Sequence, residues 1–176
     1  MGDVFFKQEN YQEAEEMLGK ALKIHLDSKS TDHAFIAKVY HLLGVASQVQ
    51  QKLAEAIKMF KKSLALKLEA FGEVHHEVAS SYLEIGGLLQ EKKRLEEAEV
   101  MIQKALEIES HLERGPQVDL KGRALNYFGA LEMDRGNCDK AMEMYQKMLE
   151  SPLQDGGERL LCTATAYYHI SMVHLR

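Results

Sequence analysis

Residues 37–70, AKVYHLLGVASQVQQKLAEAIKMFKKSLALKLEA, carry the pattern from which the fold is read. Tyr40, Leu43 and Gly44 stand at spacings that place them on one face of a helix. A short polar turn, VQQKL at 49–53, follows. Ala56, Phe60 and Ser63 then form a second stripe at i, i+4 and i+7, the mark of another helix. The small residues Gly44 and Ala56 allow two antiparallel helices to approach closely, while Tyr40 and Phe60 fill the groove between them. The stretch reads as a helix-turn-helix unit.

The same pattern extends outward in both directions. Gly2, Gly44, Gly86 and Gly129 are 42, 42 and 43 residues apart, and Ser171 continues the series 42 residues later. Ala14, Ala56, Ala98 and Ala141 follow each glycine by 12 residues, with Ala21, Ser63, Ala105 and Met148 seven further on. Large residues precede the small one by four (Tyr40, Tyr82, Leu125, Tyr167), and Leu18, Phe60, Ile102 and Tyr145 follow the alanines by four. The tyrosines are read as packing residues. Polar turns recur at KQENY, VQQKL, EKKRL and DRGNC, and Pro116 and Pro152 fall between helix pairs, since a helix interior tolerates proline poorly.

These residues resemble the tetratricopeptide signature: a large residue, Leu-Gly, an aromatic, Ala, then a second aromatic. The resemblance implies an all-α fold, a right-handed superhelix of antiparallel helix pairs, in a single array over 1–176. Its units are a partial repeat at 1–28, repeats at 37–70, 79–112 and 122–155, and the first helix of another at 164–176. Ser47 departs from the usual aromatic, and Glu132 and Met148 depart in the fourth unit.

The usual unit is about 34 residues, so each repeat here is longer, with the addition placed after its second helix. STDHAFIA at 30–37 and FGEVHHEVA at 71–79 align so that His33 and His75, then Ala37 and Ala79, are 42 apart. This resembles the long units of kinesin light chains and nephrocystin-like proteins, whose linkers look like G-x-x-H-P-x-V-A, although His76 stands where the proline would be. Residues 63–87 and 103–117 resemble the tetratricopeptide repeat protein 23 family, which implies a ciliary or microtubule-linked setting.

Composition narrows the function classes. A 45% hydrophobic fraction fits a folded protein, and no apolar run approaches the length of a membrane span or a secretory signal. The chain is expected to be cytoplasmic, with cytoskeleton or cilium as settings. Cys138 and Cys162 form no metal-ligand pair, and the histidines show no HExxH spacing, with His75 and His76 expected to diverge. Interspersed charge with a net of -5 disfavours nucleic acid. Gly86-Gly87 lies inside a helix and Gly156-Gly157 has no lysine after it, so no phosphate loop is read. No cofactor, metal or catalytic constellation is expected, and the chain is read as a non-enzyme.

What remains is protein binding. In stacked helix pairs the first helices line a concave face, and phase places Asp3, Phe6, Lys38, His41, Gln48, Ser80, Glu84, Gln90, Arg123, Asn126, Tyr127, Tyr168 and His169 there. The family resemblance implies a peptide or partner helix as ligand. Lys38, Arg123 and Asn126 match phases of the chaperone-binding carboxylate clamp, but Leu42 and Glu84 break it, which leaves an internal peptide or folded partner. Both ends fall inside a repeat, so the chain is expected to be a fragment, a truncated form or an obligate partner. Self-association through uncapped ends is the alternative role.

Overall fold

A computed structural model describes residues 11–27, 32–112, 120–150 and 157–174, and every regular element among them is helical. Two compact units are present, residues 1–73 and 74–176. Unit 1 holds α1 (Tyr11–Asp27), α2 (His33–Val49) and α3 (Leu53–Phe71). Unit 2 holds α4 (His76–Glu91), α5 (Leu95–His111), α6 (Leu120–Asp134), α7 (Cys138–Glu150) and α8 (Gly157–His174). Consecutive helices pair as α2 with α3, α4 with α5, and α6 with α7. Among the described residues no helix is long and apolar enough to cross a membrane.

The recurring glycine is where the paired helices meet. A Cβ on Gly44 would lie 3.0 Å from the Phe60 ring, and one on Gly86 3.1 Å from Ile102 Cγ1. At Gly129 it would fall inside the envelope of the Tyr145 ring. The large residue on the second helix thus seats directly on the bare backbone of the first. Ala14, Ala56, Ala98 and Ala141 are all fully buried, as are Ile102 and Tyr145, with Phe60 nearly so. Burying side chains of this size stabilises by roughly 1.5–3 kcal/mol each relative to leaving them exposed. Ser63, in the small-residue series, also donates its hydroxyl to the Ala37 carbonyl at 2.7 Å, so its polar atom is satisfied inside the seam.

The intra-repeat turns share one geometry. The N–H of Lys52 bonds the Ser47 carbonyl at 2.9 Å, that of Arg94 the Leu89 carbonyl at 2.9 Å, and that of Asn137 the Glu132 carbonyl at 2.8 Å. The preceding residue is left-handed each time, with φ of 61° at Gln51, 60° at Lys93 and 80° at Gly136. This is the Schellman termination, which satisfies the last helical carbonyls and turns the chain back. Glycine meets the demand without strain; Gln51 and Lys93 meet it at a cost of about 1 kcal/mol.

The departures from the repeat signature are accommodated locally. Glu132 is buried, yet its carboxylate accepts from Asn137 Nδ2 at 2.7 Å and Arg135 Nη1 at 3.0 Å. Arg135 also reaches Glu99 Oε2 on α5 at 2.6 Å. Burial alone would raise the Glu132 carboxyl, but the hydrogen bonds from Asn137 and Arg135 outweigh it and hold the group below the ordinary carboxylate range. Ser47 and Met148 are buried without such a network around them being required.

Two expectations are corrected. The tyrosines are not core residues: Tyr40 and Tyr82 are half-buried, and Tyr167 is 62% exposed. The Tyr40 and Tyr82 rings each meet a lysine from the second helix of their pair. Lys62 Nζ is 4.9 Å from the Tyr40 centroid and Lys104 Nζ 5.5 Å from that of Tyr82. His75 and His76 do not diverge; their rings are 4.3 Å apart. His75 is the N-cap of α4, its backbone extended and its Nδ1 accepting from the Glu77 N–H at 3.2 Å. At the equivalent linker Asp32 caps α2, and the following His33 contacts Glu69 Oε2 at 3.0 Å. Gly2, Asp3, Phe6, Pro116, Pro152 and the side chain of Cys162 lie outside the described residues.

Candidate protein-binding face

In unit 2 the first helices pack on one another, α4 on α6 and α6 on α8, whereas α5 and α7 share no comparable packing. Closer spacing on one side of a stack of pairs makes that side the inner one. It is built from α4, α6 and α8.

Arg123 and Tyr127 are one helical turn apart on α6 and both reach α4. Arg123 is half-buried, with Nη1 donating to Ser80 Oγ at 3.4 Å. The Tyr127 ring lies over Gly87, where a Cβ would be 2.7 Å from its Cε1. Burial pushes the Tyr127 hydroxyl above the ordinary phenol range, with Arg123 drawing it down and Glu84 raising it. Arg123, Tyr127 and Glu84 therefore share one electrostatic neighbourhood. Asn126, between them in sequence, is half-buried, and its Oδ1 is buried without a donor among the described residues.

On α8, Tyr168 is 61% exposed and sets its ring edge-on to His169 at 5.3 Å. His169 stacks flat on Tyr145 at 4.8 Å, and burial draws its imidazole below the ordinary histidine range. Tyr145 is pushed up to about 12, mainly by burial. At the end of α4, the Gln90 amide donates to Asp134 Oδ2 at 3.0 Å while Lys93 holds Oδ1 at 2.6 Å, which straps the end of α4 to the end of α6.

In unit 1, Lys38 and Gln48 are exposed on α2, and His41 is half-buried with its ring edge-to-face on Phe60 at 5.3 Å. Unit 2 thus brings Glu84, Arg123 and Tyr127 together, with Asn126 beside them on α6, and unit 1 carries Lys38, His41 and Gln48 on α2. Sequence phase missed Gly87 as the seat of Tyr127. Two adjacent glycines within a helix were the available signal, because one of them serves the helix pair and the second had no stated purpose. Among the described residues no group of three His, Cys, Asp or Glu could hold a metal ion. The cluster offers a cation, a carboxylate, an amide and a phenol, which suits hydrogen bonding to a polypeptide.

The comparisons with known proteins agree with this architecture. Two family models described as tetratricopeptide repeat match residues 1–27 and 35–110, together more than half the chain. No curated protein sequence matches. The solved structure of BtubC (BKLC) from P. vanneervenii is similar at a TM-score of 0.81 with 19% identity, over 98% of this chain and 68% of that one. A Podosopora anserina candidate kinesin light chain with nearly identical TPR-like repeats follows at 0.74 and 16% identity, over 97% and 84% of the two chains. MamA is similar at 0.65 and 20% identity, over 99% and 82%. At these identities the likeness shows the fold, an all-α solenoid of helix pairs. With family models over residues 1–27 and 35–110, the second spanning the Gly44 and Gly86 seams and their turns, this chain belongs to the tetratricopeptide repeat family.

Proposed function

We propose that the inner face of unit 2 holds a peptide or partner helix across Glu84, Arg123, Asn126 and Tyr127, and that the chain serves as a non-catalytic adaptor. Tetratricopeptide folds are in general protein-interaction scaffolds, and the finer assignment rests on Arg123. Its guanidinium, able to donate five hydrogen bonds in a fixed fork, is half-buried on the inner side with one long bond, to Ser80, among the described residues. Most of its donor capacity is uncommitted among the described residues, near the Tyr127 ring, a type of side chain that supplies contact area at low entropic cost. Within unit 1, Lys38, His41 and Gln48 on α2 are proposed separately as partner-contacting residues. A ciliary or microtubule-linked setting is supported by the resemblance of residues 63–87 and 103–117 to the tetratricopeptide repeat protein 23 family.

Affinity purification with the full chain, compared with an Arg123→Ala/Asn126→Ala variant, tests the reading. Tyr127 is left in place because its ring is part of the α4–α6 packing. Partners bound through the inner face should fall by about tenfold or more. An unchanged partner set, with the variant folded by circular dichroism, refutes it.

A further inference from the structure

The repeat supplies its own reference for the exposed face of each second helix. A lysine stands six residues after the buried alanine every time, as Lys20, Lys62, Lys104 and Lys147. One turn before it the four helices carry Glu16, Lys58, Val100 and Glu143. On α1 and α7 this makes an opposite-charge i, i+4 bridge, Lys20 Nζ to Glu16 Oε1 at 2.5 Å and Lys147 Nζ to Glu143 Oε1 at 2.6 Å. On α3 the pair is lysine against lysine, and Lys61 adds a third cation where the other helices have Gly19, Gln103 and Gln146. Like charges at this spacing destabilise a helix about as much as opposite ones stabilise it. Lys58, Lys61 and Lys62 are all exposed, and none forms an ion pair among the described residues. Lys62 meets the Tyr40 ring, which carries no net charge. On a chain of net charge -5, α3 has four lysines against two glutamates, whereas α5 has five glutamates against one lysine.

We propose that the exposed face of α3 binds a short acidic polypeptide segment, whose carboxylates take the ammonium groups of Lys58, Lys61 and Lys62. Three cations within one turn repel one another until carboxylates arrive, whereas the same positions on α1 and α7 already hold their own counter-charge. From Lys58 to Lys62 the helix rises about 6 Å, close to the roughly 7 Å between alternate side chains of an extended peptide. Ala54 and Ala65, one turn to either side, are small and exposed, so the lysines can be approached. Nucleic acid and anionic membrane are poorer occupants. Duplex binding draws on roughly six to ten phosphate contacts and polybasic membrane binding on roughly four to eight cations. A net-acidic chain also repels an extended polyanion beyond these three lysines. This contact is for a different partner from that of the inner face of unit 2, so the two proposals fail independently.

A fluorescein-labelled hexaglutamate peptide, titrated with the full chain by fluorescence anisotropy at low ionic strength, tests the inference. Saturable binding is expected, weakening as salt is raised. The variant Lys58→Glu/Lys61→Gln gives α3 the residue types that α7 carries at Glu143 and Gln146, and should weaken binding about tenfold or more. Lys58→Glu restores the glutamate–lysine spacing of α1 and α7, so circular dichroism of the variant should match the parent. Arg123→Ala should leave the titration unchanged. Absence of saturable binding, binding indifferent to Lys58→Glu/Lys61→Gln, or binding weakened instead by Arg123→Ala overturns the proposal. So does a duplex DNA or a phosphatidylserine vesicle that binds more tightly than hexaglutamate and is lost in the same variant, which would give the lysines to a phosphate-bearing partner.

Discussion

At the scale of single residues, the fold depends on atoms that are absent as much as on those present. Gly129 admits the fully buried Tyr145 ring, which a Cβ at that position would overlap. Gly129→Ala gains about 1 kcal/mol in helix propensity but overpacks the seam at a cost of roughly 1–3 kcal/mol or more. We expect a net loss of about 1–2 kcal/mol in urea unfolding, and a smaller loss for Gly44→Ala, whose Cβ meets Phe60 at 3.0 Å. A stabilised Gly129→Ala protein would show that Tyr145 is not seated there. The seam was legible in the sequence because one steric requirement recurs with every unit and leaves a glycine each time. The exposure of the tyrosines was not, because spacing assigns a helix face and says nothing of how far along the opening between two helices a ring lies.

Between elements, turns and ion networks decide how pairs are held. Gln51 occupies a left-handed position that Gly136 occupies without strain, so Gln51→Gly should stabilise by about 0.5–1 kcal/mol, read as a higher urea midpoint at constant slope. The Glu132 network makes a pH prediction. Its folded carboxyl is depressed relative to the unfolded chain, so its contribution is present above the ordinary value of about 4.5 and is lost as pH falls through the lower folded value. Arg135→Ala should cost about 2 kcal/mol at neutral pH, since a buried carboxylate loses a charged donor. It should also flatten the loss of stability on acidification, and an acid limb unchanged by Arg135→Ala would remove Glu132 from that role. The DRGNC turn was visible from Gly136 and Asn137, but the network was not: it needs α5 to bring Glu99 within 2.6 Å of Arg135. Likewise His75 gave no sign of capping α4, because serine, threonine and aspartate are the residues whose short side chains ordinarily do so.

For the molecule as a whole, the 42-residue repeat determines which helices can face a ligand. Phase alone named Arg123, Asn126 and Tyr127, and the packing of α4 on α6 brings two of them to α4: Arg123 bonds Ser80 and Tyr127 lies on Gly87. Gln90 has the same phase at the end of α4, where its amide donates to Asp134. Phase does not record distance from the turn. The central claim is that the first helices receive the partner and the second helices do not. Hydrogen–deuterium exchange on the chain, with and without a partner recovered by affinity purification, tests this most directly. Protection should concentrate in residues 76–91 and 120–134, the α4 and α6 segments, with 95–111 and 138–150 unchanged. Protection confined to 95–111 and 138–150 would contradict the account.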